Sequence, residues 1–158
     1  MLNPMNPNDS LAKVAEFHSL FSVPHLENPQ IPSKERAELR VRLLQEELDE
    51  LKEALSQKDL TEVADALCDL QYVLNGAILE FGLASRFETL FDEVHRSNLS
   101  KACKDREEAE LTLEQYKKKG IACYTKELNG KFNVYRTKDD KVLKSLNYCP
   151  AELGKLLK

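Results

Sequence analysis

At 158 residues the chain has room for one domain with a substantial core. Hydrophobic residues at 42% and charged residues at 32% fit a water-exposed globular fold, and a net charge of −4 weighs against non-specific nucleic-acid binding. No apolar run approaches the ~20 residues of a membrane helix, and the opening "MLNPMNPNDS" lacks the basic and apolar regions of a secretory signal. Cys68, Cys103, Cys123 and Cys149 contain no C-x-x-C pair, so neither a zinc site nor a disulfide framework is expected. Reduced thiols and a cytoplasmic location are the expectation; only Cys103, between Lys101 and Lys104, has the cationic surroundings a redox role would want.

In chain order, Asp9 or Ser10 is expected to cap a first helix from Leu11 to about Leu20, with Leu11, Val14, Ala15, Phe17 and Phe21 as its apolar side. The proline-rich "SVPHLENPQIPSK" must be a loop. A second helix runs from Ser33 or Lys34 to about Gln57, with Leu44, Leu48, Leu51 and Leu55 as its core line. After the tight "SQKD" comes a third, Leu60 to about Phe81, closed by Gly82, whose core line is Val63, Leu67, Leu70, Leu74, Ala77 and Phe81. So short a turn makes these two an antiparallel hairpin. A fourth helix, about Ser85 to Lys101, carries Phe87, Leu90, Phe91 and Val94. The polar "DREEAELTLEQYKKKG" reads as a further helix ended by Gly120, and Asn129-Gly130 marks a β-hairpin with a type I′ turn.

The fold expected is therefore all-α, a bundle of four to five helices with a small C-terminal β-hairpin. Residues 1–103 form the helical core, and 104–158 form a helix, hairpin and tail of the same domain.

One stretch is too acidic for an ordinary polar face. "LLQEELDELKEAL" holds Glu46, Glu47, Asp49, Glu50 and Glu53, and like charges at i,i+3 and i,i+4 repel by a few tenths of a kcal/mol per pair. On a helical wheel Glu47 lies about 70° from the centre of the leucine line and Glu50 about 60° further round, with Glu46 beyond. On the third helix Glu62 and Asp69 nearly superpose at the edge of the apolar line, with Asp65 about 40° outward. Folding the hairpin about Lys58 sets Glu50 opposite Asp65 and Ala66, and Glu47 opposite Asp69. Carboxylates forced together would take up protons unless a cation joined them, and all-oxygen donors suit Mg2+ or Mn2+. A solvated acidic face balanced by Arg40, Arg42, Lys52 and Lys58 is the alternative; the facing pairs favour metal. A di-iron site is disfavoured, because none of His18, His25 and His95 follows a glutamate by three residues.

Glu46-Glu47-x-x-Glu50, a short linker and an acidic motif before "DLQYVLNG" resemble the all-α NTP pyrophosphatase superfamily of MazG-like and phosphoribosyl-ATP pyrophosphatase-like proteins. "FHSLFSVP", "LEFGL", "FDEVHRSNLSK" and "DDKVLKSLNY" extend the likeness over most of the chain, around an insertion at 104–136. The family pattern is E-E-x-x-E on one helix and E-x-x-D on the next. Glu62-x-x-Asp65 satisfies the second literally, but "LQYV" aligns Asp69 with the family aspartate and leaves Ala66 where its glutamate belongs. Asp65 or Glu62 is then the substitute.

The resemblance implies a metal-dependent pyrophosphohydrolase of the nucleotide pool, splitting an NTP or dNTP into monophosphate and pyrophosphate. Glu47, Glu50 and Asp69, with Asp65 and Glu62, are the implied ligands of Mg2+ (Mn2+ may replace it), and Glu46 the implied base, beside Glu47. Implied substrate contacts are Asn75, Arg96, Asn98, Lys101, Lys141 and Lys144; each of the cations could equally be a solvated surface charge. Phe17 and Tyr72 could stack on a base or serve as core. A homodimer or a dimer of dimers is also implied. Two alternatives stay open: a phosphoribosyl-ATP hydrolase, and a non-catalytic helical assembly module.

Overall fold

The computed structural model describes residues 7–158, with side chains from Ser10 onward. Six helices and one two-stranded antiparallel hairpin make up its regular structure, so the chain is predominantly helical as expected. They group into two compact units, one ending at Glu88 and one from Thr89 to Lys158. The expected division at 103/104 therefore lies inside the second unit. The reason is Cys103: fully buried, it is part of a small core with Ala109, Val134 and Leu143 and bridges to Phe132 on the hairpin.

In the first unit α1 covers Pro7–Leu20, α2 Lys34–Gln57 and α3 Leu60–Glu80. Asp9 and Ser10 thus lie within α1 and do not cap it; the Ser10 hydroxyl instead accepts a hydrogen bond from the Asn75 amide of α3 at 3.1 Å. Ser33 caps α2 by accepting from the Arg36 amide. Lys58 reverses the chain in the left-handed region (φ 57°), and its backbone N–H caps the end of α2. Asp59 then caps α3, its carboxylate accepting from the amides of Thr61 and Glu62. The proline-rich loop is not loose. Leu26 and Gln30 donate backbone hydrogen bonds to the Leu79 and Phe81 carbonyls. Gly82 holds φ 66°, and a Cβ there would collide with the Asn28 carbonyl.

The seam between α2 and α3 differs from the leucine lines. Arg40 and Ala54 of α2, and Ala66, Asn75, Gly76, Ile78, Leu79 and Glu80 of α3, are buried. Leu48, Leu55, Leu67 and Leu74, expected in the core, remain 40%, 59%, 52% and 41% exposed. Phe17 of α1 and Phe21, just past its end, are likewise exposed. Small residues on the seam let the two backbones approach, and the leucines one helical position away then face outward.

α4 covers Phe87–Leu99, with all but its first two residues in the second unit, followed there by α5 Arg106–Lys118, β1 Cys123–Leu128, β2 Lys131–Arg136 and a short α6 Leu153–Leu156. Asp105 caps α5 through the Glu108 amide at 2.8 Å. Asn129 and Gly130 both have positive φ, 52° and 70°, as a type I′ turn requires, and the strands pair in register from Leu128–Lys131 to Cys123–Arg136. On α4, Leu90 is buried while Phe91 and Val94 are exposed.

Candidate functional site

Glu50, Glu53, Asp59, Glu62 and Asp65 line one groove of about 480 Å³ between α2 and α3, floored by Ala54 and Ala66. Two of these carboxylates, Glu53 and Asp59, were not among the expected ligands. Asp59, at the end of the tight "SQKD" connection, caps α3 and also faces the groove.

Glu47 and Asp69 do not line that groove; each lies about one helical turn from it, Glu47 from Glu50 and Asp69 from Asp65, and both are half-buried. The Glu47 carboxyl is pushed above its ordinary value, first by burial and then by the charges of Glu50, Asp69, Glu46 and Asp65. Those are the neighbours the wheel geometry placed around it, drawn from both helices. The set is all oxygen and strongly negative, which is the donor chemistry of a hard divalent cation. Among the described residues, however, no three carboxylate, histidine or cysteine side chains stand close enough together to share one ion. Unscreened carboxylates repel one another, and a cation would have to draw them in.

The expected substrate contacts are differently disposed. Asn75 is buried on α3, accepting from the Gln71 amide at 2.9 Å and donating to Ser10, so its side chain ties α1 to α3. The rest lie in the second unit. Arg96 forks onto Glu93 with two bonds of 2.7 Å and donates to the Pro150 carbonyl. That fork holds the Glu93 carboxyl down at about 2. The Lys101 ammonium donates to the Asn98 side-chain Oδ1 at 2.6 Å. The Lys144 ammonium lies 4.3 Å from the centre of the Tyr148 ring. Lys141 is exposed.

A second constellation was missed by the sequence reading, where Arg40 figured only as a surface counter-charge. Glu80, 1% exposed, is paired with both Arg36 and Arg40. Burial would raise the Glu80 carboxyl, but hydrogen bonds from Arg36 and Arg40 together outweigh it and hold the group below its ordinary value. His18 stands beside Arg40, with Nη2 to Nε2 at 3.3 Å, and its Nδ1 lies 3.1 Å from the Pro24 carbonyl. A carbonyl only accepts, so Nδ1 carries the proton and Nε2 accepts from Arg40. Burial, and next the Arg40 charge, lower the His18 pKa and keep the ring neutral. The legible signal was Glu80 itself, a lone carboxylate inside the apolar run "AILEFGL", which cannot be buried without cations.

His18, Arg36 and Arg40 line a cavity of about 440 Å³, open to solvent on one side and bordered by α1, the proline-rich loop, α2 and α3. Its walls include Phe17, Leu43, Tyr72 and Val73, with Arg36 and Arg40 among them.

Residues 14–98, just over half of the chain, match the family model described as phosphoribosyl-ATP pyrophosphohydrolase. The match includes every carboxylate from Glu46 to Asp69 and the whole Glu80 cluster, and it ends before Lys101, Lys141 and Lys144. No curated protein matches the chain.

Proposed function

The chain belongs to the phosphoribosyl-ATP pyrophosphohydrolase family of the MazG-like all-α NTP pyrophosphatase superfamily, and from that membership we propose that it hydrolyses a nucleoside triphosphate between the α and β phosphates. As a pyrophosphohydrolase it acts on an acid anhydride; the proposal concerns its substrate, its metal and the residues that do the work. The observation that carries it is Glu47, half-buried and facing carboxylates from both helices.

A triphosphate is strongly anionic, and an acidic groove would repel it. A divalent cation held by these carboxylates would supply the positive charge that lets a triphosphate approach and would lower the pKa of a water. Glu47, Glu50 and Asp69 would hold the ion, with Asp65 and Glu62 supplying the carboxylate absent at Ala66. Glu46, one residue from Glu47 and exposed in this chain alone, would take the proton of the attacking water. The products would be a nucleoside monophosphate and pyrophosphate.

The same carboxylates would serve phosphoribosyl-ATP equally well, since the anhydride is the same and only the groups beyond the α phosphate differ. The family match is equally compatible with that substrate.

Pyrophosphate release tests both. A panel of canonical, deoxy- and modified NTPs and phosphoribosyl-ATP would be assayed with magnesium, with manganese and with EDTA. We expect release with one substrate class, abolished by EDTA and reduced at least about a hundredfold in Glu47→Gln and Asp69→Asn. Activity that survives both substitutions would overturn the ligand assignment.

A further inference from the structure

The cavity beside the carboxylates has a composition unlike theirs, and it faces the same way along the hairpin. On α2 the positions 36, 40, 43, 47 and 50 follow one another at helical spacing, and on α3 so do 76, 73, 69 and 65 or 66. Arg36, Arg40 and Leu43 line the cavity; Glu47 continues the stripe to Glu50, which lines the acidic groove. At ~1.5 Å rise per residue, Glu47 lies about 6 Å along the axis from Leu43 and about 10 Å from Arg40. On α3, Tyr72 and Val73 line the cavity and Asp69 is one turn away.

We infer that this cavity takes the nucleobase of the substrate, and that it selects bases presenting a carbonyl oxygen on the edge away from the ribose. The inference rests on the reading that the carboxylates hold the triphosphate.

Four observations support it. The cavity, at about 440 Å³, is large enough for a base and part of a ribose. Phe17 and Tyr72 stand edge to face, ring centres 5.6 Å apart, and both stay partly exposed. They offer an aromatic surface that α1 and α3 have not used up in core packing. The end furthest from the carboxylates is furnished with donors. Arg40 is 6% exposed, yet its buried Nε has no hydrogen-bond partner among the described residues. Arg36 gives Nε and Nη2 to Glu80 and keeps Nη1 for another acceptor.

The charge count is the fourth. Two guanidinium groups face one carboxylate, Glu80, and His18 is neutral with its Nε2 accepting from Arg40. The cluster is therefore donor-rich with a surplus positive charge, and a buried donor without an acceptor is costly. Uracil, thymine, guanine and hypoxanthine carry an oxygen on the distal edge. Cytosine and adenine carry an amino group there, which would set donor against donor. A site built this way rejects the wrong edge by leaving its own polar groups unpaired.

The test is binding of UMP, GMP, CMP and AMP to the full chain in EDTA, by calorimetry and by NMR of the arginine Nε–H groups. No divalent cation and no hydrolysis is needed, so this result is independent of pyrophosphate release. If release fails and UMP binds, the triphosphate reading falls while the base site stands. We expect UMP and GMP to bind at least about tenfold more tightly than CMP and AMP. The Arg40 Nε–H signal should shift with UMP and not with inorganic phosphate alone. Arg36→Gln should erase the preference, and Tyr72→Ala should weaken all four nucleotides alike. Should Arg36→Gln fail to fold, the wild-type preference and the Arg40 signal still decide. Equal binding of the four, a preference for CMP or AMP, or no binding at all would overturn the inference.

Discussion

Glu80 ties α3 to α2 inside the first unit. It is a carboxylate at the end of an apolar helix, neutralised by Arg36 and Arg40, with the Arg40 guanidinium lying against Gly76. A Cβ at Gly76 would come within 2.6 Å of Arg40 Nη1 and 3.3 Å of His18 Nε2. Gly76→Ala must therefore push the guanidinium off its partners, and we expect a loss of about 1–3 kcal/mol in urea unfolding. Mid-helix glycine normally costs stability relative to alanine, so the sign of this result is diagnostic.

The same cluster sets a pH dependence. The folded-state pKa of His18 is lowered from 6.5, so below 6.5 the unfolded chain binds more protons at this residue and stability declines as pH falls. Glu80, lowered from 4.5, adds a further loss in the same direction below 4.5. Glu47 acts oppositely: its raised folded-state pKa costs stability as pH rises above 4.5, and a divalent cation would remove that cost. We expect the metal-free urea midpoint to fall between pH ~7 and ~5, and this step to vanish in His18→Asn. The charges at Glu46, Glu47, Glu50 and Asp69 could be read from spacing alone. The His18–Arg40–Glu80 cluster could not be assembled that way: Glu80 stands out in its apolar run, but His18 and Arg40 lie 22 positions apart, Arg40 and Glu80 40 apart, and neither His18 nor Arg40 is marked as its partner by local sequence.

At the scale of elements, caps decided how much was legible. Ser33, Asp59, Gly82 and Asn129-Gly130 act locally, through side chains or backbone freedom that a short window contains, and they end or begin elements where expected. Asp9 and Ser10 carry the same chemistry, yet α1 continues through them. The short α6 has no side-chain cap and no sequence signal. Asp59 has two roles: its carboxylate satisfies two backbone amides and also lines the acidic groove. Asp59→Ala should cost about 1 kcal/mol by loss of the cap. If the groove holds a cation, it should also reduce the rise in Tm that magnesium gives to the wild type. Asp59→Ser, which keeps a cap and drops the charge, separates the two effects: it should recover most of the metal-free stability and none of the magnesium response.

At the scale of the whole molecule, the leucine lines pose the remaining question. A stripe of leucines at helical spacing says that a face is to be buried but not whether the partner comes from the same chain. The α2–α3 seam is closed instead by Ala54, Ala66 and Gly76, and Leu48, Leu55, Leu67 and Leu74 are left in the open. Each of these side chains is about half exposed and would gain on the order of 1 kcal/mol on full burial, and exposed apolar surface repeated along two neighbouring helices is what an association site presents. We therefore expect self-association through the outer faces of α2 and α3, with a particle of at least twice 18.1 kDa in sedimentation equilibrium. Leu55→Lys combined with Leu67→Lys should dissociate it, since neither position is needed inside the seam. If the acidic groove is completed by a second copy, the dissociated variant will lose pyrophosphate release along with its mass, although Glu47, Glu50 and Asp69 are intact. If it keeps full activity as a monomer, each chain carries a whole site and the leucines serve stability alone. A wild-type chain that is monomeric at micromolar concentration would show that this face is covered in some other way.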